Sequence, residues 1–345
     1  MNLRDMLFDA SRCFVIAEAG VNHNGDPETA LALVDAATET GADAVKFQTF
    51  RAEELVNRDA PKAAYQVETT GTADSQFEML RRLELDKHIY PGLQSRALER
   101  GIFFMSTPFD EDSVDFLDGL GMDAFKVGSS ELTNLELLRD IGARGKPVLL
   151  STGMGNLEEV ELAIDALGAG GAEDIIVLHC VSNYPTDPKD VNLRAMQTMA
   201  DAFGIPIGLS DHTMGNEVAI AAVALGATVI EKHFTLDCQQ DGPDHRVSLD
   251  PDGMRRLVEG IRNVEAALGD GVKRPAPSEA DVAAVARRSL IVAVDLPAGA
   301  TITPGVLVVR RPGSGLPPSA KSKVVGRTLR VAAEAGTLLS MEMLQ

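Results

Sequence analysis

Residues 206–213, PIGLSDHT, and 229–236, VIEKHFTL, decide how this chain is read. Each run is apolar at its start and ionisable at its end; the first closes on His212 and the second carries His233. In parallel barrels and doubly wound sheets, side chains enter the site from the carboxyl ends of strands. Neighbouring strands lie about 5 Å apart, close enough for two imidazoles to share one divalent metal. Six more short apolar, β-rich runs recur, each followed by a helical pattern: FVIAEAG (14–20), AVKFQTF (44–50), IFFMSTPF (102–109), AFKVGSS (124–130), PVLLSTGM (147–154) and IIVLHCVS (175–182). Between them lie amphipathic stretches such as PETALALVDAATETGA and NEVAIAAVALGA, ending in Gly-Ala as helix stops do. Strands apolar nearly throughout belong to sheets covered on both faces. Eight β-α units within residues 1–269 predict an α/β fold, a (β/α)8 TIM barrel, with a doubly wound sheet as the alternative.

One connection breaks the rhythm. Residues 51–100 are too long for a simple crossover, and the expectation is a mobile loop followed by one or two helices covering the strands' carboxyl side. Residues 270–286, opening DGVKRPAPSEAD after Gly269, read as a linker. The segment 287–345 has short β runs (SLIVAVDL, VLVVRRPG, VVGRTLRVA) punctuated by Gly and Pro, and forms a small β-rich appendage.

The 345 residues carry a net charge of −19, which argues against nucleic-acid binding and requires locally placed cations for any anionic substrate. Cys13, Cys180 and Cys238 show no CxxC spacing and suggest neither a disulfide framework nor a thiolate zinc site. MNLRDMLFDASRC lacks the apolar core of a signal peptide, and no run reaches membrane-spanning length. The expected location is the cytoplasm, with no membrane partner.

Strand alternation places Lys46 and Gln48 on one face of the second strand, Ser210 and His212 on one face of the seventh, and Glu231 and His233 on one face of the eighth. Lys126 lies midway along the fourth and Glu18 near the end of the first. Barrel interiors are normally filled by Val, Ile and Leu, so ionisable groups recurring there predict an active site. Lys46 and Lys126 suit phosphate or carboxylate. Thr107, Ser129, Ser151, Ser182 and Ser210 offer donors around the same anion, although any one alone reads as a helix cap. His212 and His233 are the metal candidates. His23, His179 and His245 are weaker, and His88 reads as solvated.

The motifs AEAGVNHNG, GADAVKFQTF, STPFD, KVGSSE, STGM, LHCVSNYPT, GLSDHT, IEKHFTL and GPDHRVSL occur in order, followed by RRS and VVRRPGSG. From about residue 14 to its end the chain resembles the bacterial sialic acid (N-acetylneuraminate and related nonulosonic acid) synthases. The tail resembles their antifreeze-like SAF domain. The resemblance implies condensation of phosphoenolpyruvate with N-acetylmannosamine and water to N-acetylneuraminate and phosphate. The close alternative is a 2,4-diacetamido-2,4,6-trideoxymannose acceptor, giving N,N'-diacetyllegionaminate. It further implies that His212 and His233 hold Mn2+ or Mg2+. Lys46, Thr107, Lys126, Ser129, Ser151 and Ser210 would hold phosphoenolpyruvate, with Ser182 at a position where some members carry Asn. Gln48, Glu131, Tyr184 and Asp244 would contact the sugar, and Phe109 would line the pocket. Arg311 would reach from the SAF domain into the other subunit's site, which implies a domain-swapped homodimer. For the base that activates water the candidates are Glu18 and then Glu231, the latter equally readable as the partner of a lysine. Two readings compete: metal-dependent hydrolysis on a barrel, which calls for a third protein ligand, and a non-enzymatic sugar- or surface-binding protein, which leaves the strand-end lysines and histidines unexplained.

Overall fold

A computed structural model of the chain describes residues 2–71 and 73–345. They form two compact units, Met1–Gly269 and Asp270–Gln345.

The first unit holds eight strands: β1 (Phe14–Gly20), β2 (Ala44–Thr49), β3 (Phe103–Pro108), β4 (Phe125–Val127), β5 (Val148–Ser151), β6 (Ile175–Cys180), β7 (Ile207–Asp211) and β8 (Val229–His233). The sheet order is β3-β2-β1-β8-β7-β6-β5-β4, with every ladder parallel. β3 and β4, at the ends of that order, lie against each other, so the sheet curls into a nearly closed barrel. The apolar runs explain why. All seven residues of β1 are buried, inner side chains against the barrel interior and outer ones against helices such as Pro27–Glu39. That helix starts where the Asp26 carboxylate accepts the Thr29 N–H and Pro27 fills the first turn, a cap contributing about 1 kcal/mol.

The strands stop earlier than the apolar runs that announce them. β4 ends at Val127 although its run continues to Ser130, and Ser129–Glu131 forms a 3-10 turn instead. β7 ends at Asp211, leaving His212 as the first residue beyond it. The trailing polar residues of each run therefore build the rim of the barrel, where a site is formed.

Residues 51–100 contain more helix than expected. The loop portion carries two short helices, Ala52–Leu55 and Ala64–Thr70, before Gln76–Leu83 and the crossover helix Tyr90–Arg100. An apolar cluster binds this insertion to the rim: Val21, Phe50, Met79 and Leu83, with Leu55, Leu80 and Phe109 packed against them.

The second unit pairs β9 (Ser289–Val292) antiparallel to β10 (Leu307–Arg310) around its own small core of Leu290, Val292, Ile302, Leu307 and Leu329. Residues 270–286, read from sequence as a linker, group with this unit and include the helix Ala280–Ala286. Alanine, the strongest helix former, fills four of the seven positions of ADVAAVA and turns a Pro-rich start into a helical end.

Candidate active site

A cavity of about 510 Å³ opens at the carboxyl end of the barrel. Every site residue expected from the sequence lines it, with the sole exception of Arg311. Arg311 is exposed, directly after β10 in the second unit.

The strand register assembles the floor. Glu18 is paired in register with both Lys46 and His233, Gln48 with Thr107, and Ser210 with both Glu231 and Cys180. Beyond Glu18 the β1–β2 register slips by one residue and β1 ends at Gly20, whose φ of +54° suits glycine. A Cβ there would stand 3.3 Å from Glu18 Oε1 and 3.4 Å from Gln48 Nε2, so the bulge leaves room for Gln48 to donate to Glu18 at 3.2 Å.

Two lysines and two glutamates then interlock. Lys46 Nζ lies 2.6 Å from Glu18 Oε2 and 3.6 Å from Glu231 Oε2, and donates to Thr107 Oγ1 at 2.8 Å. Lys126 Nζ lies 3.6 Å from Glu231 Oε1, and Ser210 donates to the same oxygen at 2.9 Å. Burial opposes every one of these charges. At Lys46 the two carboxylates outweigh it and the pKa rises; at Lys126 burial wins and the pKa falls. The carboxylates split. Burial and the Glu231 charge push Glu18 up to about 7 against Lys46, whereas the two lysines outweigh burial at Glu231 and hold it down at about 2. Carboxylates driven apart in this way are suited to separate proton-holding roles. With Glu18 protonated the quartet carries a net positive charge, set within a chain of net charge −19. Glu18 Oε2 and Glu231 Oε2 are buried with the Lys46 ammonium as their neighbour.

Hydroxyls ring this floor. Ser129 Oγ accepts the Gly153 N–H at 3.0 Å, and Ser151 Oγ is buried without a partner. Gly153 is required by proximity, since a Cβ there would meet Ser182 Oγ at 2.2 Å and Ser129 Oγ at 2.8 Å.

On the facing wall the rings of His212 and His233 are 5.3 Å apart. The Val181 carbonyl accepts from His212 Nδ1 at 2.8 Å, which puts the proton on Nδ1 and leaves the Nε2 lone pair free. His233 Nδ1 is buried and unpartnered, and burial holds the ring well below its ordinary pKa, hence neutral. Asp244 Oδ2 stands 3.9 Å from that nitrogen, its own pKa pushed up to about 6 by burial. Among the described residues no three His, Cys, Asp or Glu converge on one metal position. Two bare imidazole nitrogens suit a cation that completes its shell with water or ligand oxygens. Behind this wall, on the outward faces of the same strands, Lys232 Nζ bonds Asp211 Oδ2 at 2.7 Å and the Thr213 carbonyl at 2.5 Å.

The roof comes from elsewhere. Tyr184 stands with its ring 4.1 Å from His212 and 5.6 Å from His233, and Tyr65 from the insertion stacks on it at 4.9 Å. Glu131 accepts from Asn134 Nδ2 at 2.9 Å at the cavity's edge. The weaker histidines lie apart from this cavity: His179 pairs with the Val191 carbonyl, His245 with Thr235, His23 with the Gly25 N–H, and His88 is exposed. Sequence reasoning missed Tyr65, Gly153 and the Asp211–Lys232 pair. The pair was readable, because it occupies the alternate positions of the two runs that carry the histidines; Tyr65 had no periodic signal around it.

A barrel with an ionic floor, a paired-histidine wall and an aromatic roof at its carboxyl rim defines a barrel enzyme. The NeuB family model matches residues 33–273 and the SAF domain model residues 287–345. The chain is 48% identical over 337 residues to the N,N'-diacetyllegionaminic acid synthase of Legionella pneumophila, covering 96% of this chain and 95% of that protein. It is 36% identical over 333 residues to the human N-acetylneuraminate-9-phosphate synthase, covering 96% and 92%. Among solved structures, the N-acetylneuraminic acid synthetase of Leptospira borgpetersenii in complex with citrate is similar with a TM-score of 0.70 and 33% identity, over 79% of this chain and 90% of that one. This chain belongs to the NeuB family and is an enzyme of that family.

Proposed function

We propose that the enzyme condenses phosphoenolpyruvate with 2,4-diacetamido-2,4,6-trideoxymannose and water, giving N,N'-diacetyllegionaminate and phosphate. The single observation that carries the chemistry is the placement of Lys46, Lys126, Glu18, His212 and His233 around one cavity. The acceptor is drawn from the relatives. Legionaminic acid synthases from Legionella pneumophila and Campylobacter jejuni are 48% and 45% identical to the chain, against 36% for the human N-acetylneuraminate-9-phosphate synthase. N-acetylmannosamine, the acceptor expected first from the sequence, yields to the alternative on that ground.

In this reading Lys46, Lys126 and the hydroxyls of Thr107, Ser129, Ser151, Ser182 and Ser210 bind phosphoenolpyruvate. The anion takes over the Lys46 charge that Glu18 holds in its absence. C3 of the enol attacks the aldehyde carbon of the open-chain sugar and forms the new C–C bond, while the carbonyl π pair moves onto its oxygen, which takes up a proton and becomes a hydroxyl. Water adds to the cationic C2, its proton passing to Glu18, whose raised pKa suits a group that takes up and returns a proton near neutrality. The bond from C2 to the phosphate oxygen of the resulting tetrahedral intermediate breaks, phosphate leaves with that electron pair, and the C2 hydroxyl loses its proton to become the keto group. Glu231, ionised between both lysines, acts as their fixed counter-charge. His212 and His233 would hold Mn2+ or Mg2+, which when bound supplies Lewis-acid polarisation of the sugar carbonyl. Gln48, Glu131, Tyr184 and Asp244 orient the sugar, with Phe109 beside them, and Arg311 serves the site of the second subunit in a domain-swapped homodimer.

The test is phosphate release from phosphoenolpyruvate with Mn2+ and each sugar in turn. Release that requires the diacetamido sugar supports the proposal. Release that requires N-acetylmannosamine replaces the acceptor, and no release with any amino sugar overturns the chemistry.

A further inference from the structure

The cavity has two chemically different ends. Its floor is ionic, whereas its outer end is walled by Phe50, Leu55, Met79, Leu83 and Phe109, four of the five lying within or directly beside the insertion's start or inside it. Tyr65, on the insertion's helix Ala64–Thr70, lies face to face with Tyr184 at 4.9 Å and an interplanar angle of 30°. The two rings continue the apolar wall inward to the histidines.

The helix that carries Tyr65 is held firmly. The buried Gln66 side chain accepts from the Ala63 N–H at 3.0 Å and from Gln76 Nε2 at 3.2 Å. Lys62 binds Thr70 Oγ1 at 3.0 Å and the Gly71 carbonyl at 3.1 Å, and pairs with Asp74. Burial and then the Asp244 charge raise the Tyr65 phenol's pKa, and the two residues line the same cavity.

We propose that Tyr65 is a specificity-determining residue for the acceptor, selecting a sugar whose far end is deoxygenated and acylated over one that carries hydroxyls there. This inference rests on the reading given under Proposed function and deepens it. The aldehyde carbon has to meet the enol at the ionic floor, so the opposite end of an open-chain hexose lies toward the insertion. A methyl at C6 and an acetamide at C4 bury carbon against Tyr65 and the apolar wall. Hydroxyls set against the same aromatic face lose water without gaining a partner from it. An aromatic plane offers that contact at little cost in side-chain freedom.

The experiment compares wild type, Tyr65→Ala and Tyr65→Phe in steady-state phosphate release with both sugars. Tyr65→Ala is expected to lower kcat/KM for the diacetamido sugar about 30-fold, within the range that one apolar contact supplies. The value for N-acetylmannosamine changes far less, and KM for phosphoenolpyruvate stays within about twofold. Tyr65→Phe keeps the plane and restores the wild-type ratio between the sugars. Equal losses with both sugars, or no loss, overturn the assignment even where wild type prefers the diacetamido sugar. A wild-type preference for N-acetylmannosamine instead overturns the functional reading, and this inference with it.

Discussion

Gly153 shows how little space separates the proposed anion site from a damaged one. Its N–H donates to Ser129 and its α-carbon faces Ser182, so a methyl group there displaces both hydroxyls. Gly153→Ala is expected to raise KM for phosphoenolpyruvate about tenfold, roughly the loss of one hydrogen bond to a charged group, with thermal unfolding nearly unchanged. An unaltered KM would show that Ser129 and Ser182 do not bind the anion. His23 offers a pH prediction. Its ring is fully buried, Nδ1 accepts the Gly25 N–H, Nε2 has no partner, and burial lowers its pKa from 6.5 to about 4. Between those values the unfolded chain binds a proton that the folded chain refuses, so stability rises with pH across that window and falls as pH drops through it. Wild type should lose about 2 kcal/mol more than His23→Gln between pH 7 and pH 5 in urea unfolding. Parallel pH profiles would refute the assignment.

At the scale of the strand, β7 and β8 act as a matched pair. Asp211 and Lys232 are register partners whose ion pair is almost wholly buried on the outward side, while the neighbouring residues His212 and His233 face the cavity. Asp211→Ala strands a buried ammonium and is expected to cost about 3–5 kcal/mol in urea unfolding. Replacing both partners by Leu and Met should recover most of that loss; a destabilisation no greater than at a surface pair would count against the pair's burial as its cause. The same alternation made most of the site legible in sequence. A strand covered on both faces is expected to be apolar, so Lys46, Lys126 and Glu231 stand out as exceptions that need a reason. The insertion offered no such contrast. Its short helices are ordered by Lys62, Gln66 and an apolar cluster rather than by a period, so Ala64–Thr70 and Tyr65 could not be read before the fold was seen. The acceptor was illegible for a related reason, since the LHCVSNYPT and GPDH motifs fit either sugar.

For the whole molecule, the proposed domain-swapped homodimer makes each site a joint product of two chains, and symmetry makes the consequence countable. Arg311→Ala and His233→Ala should each be nearly inactive alone. After mixing and subunit exchange, half of the dimers pair the two variants and each has one intact site, so activity should return to about a quarter of wild type. No recovery, with exchange confirmed by mass, would place Arg311 in its own subunit's site or in none. The stacked tyrosines have an optical consequence. The chain has no Trp and three Tyr. Tyr90 is enclosed by Phe104 and Phe116, with its hydroxyl donating to the Gln48 carbonyl, while the other two form the roof. Near-ultraviolet emission and circular dichroism of the unlabelled protein therefore report chiefly on the mouth of the barrel, and an arriving sugar announces itself in the light the enzyme already gives out.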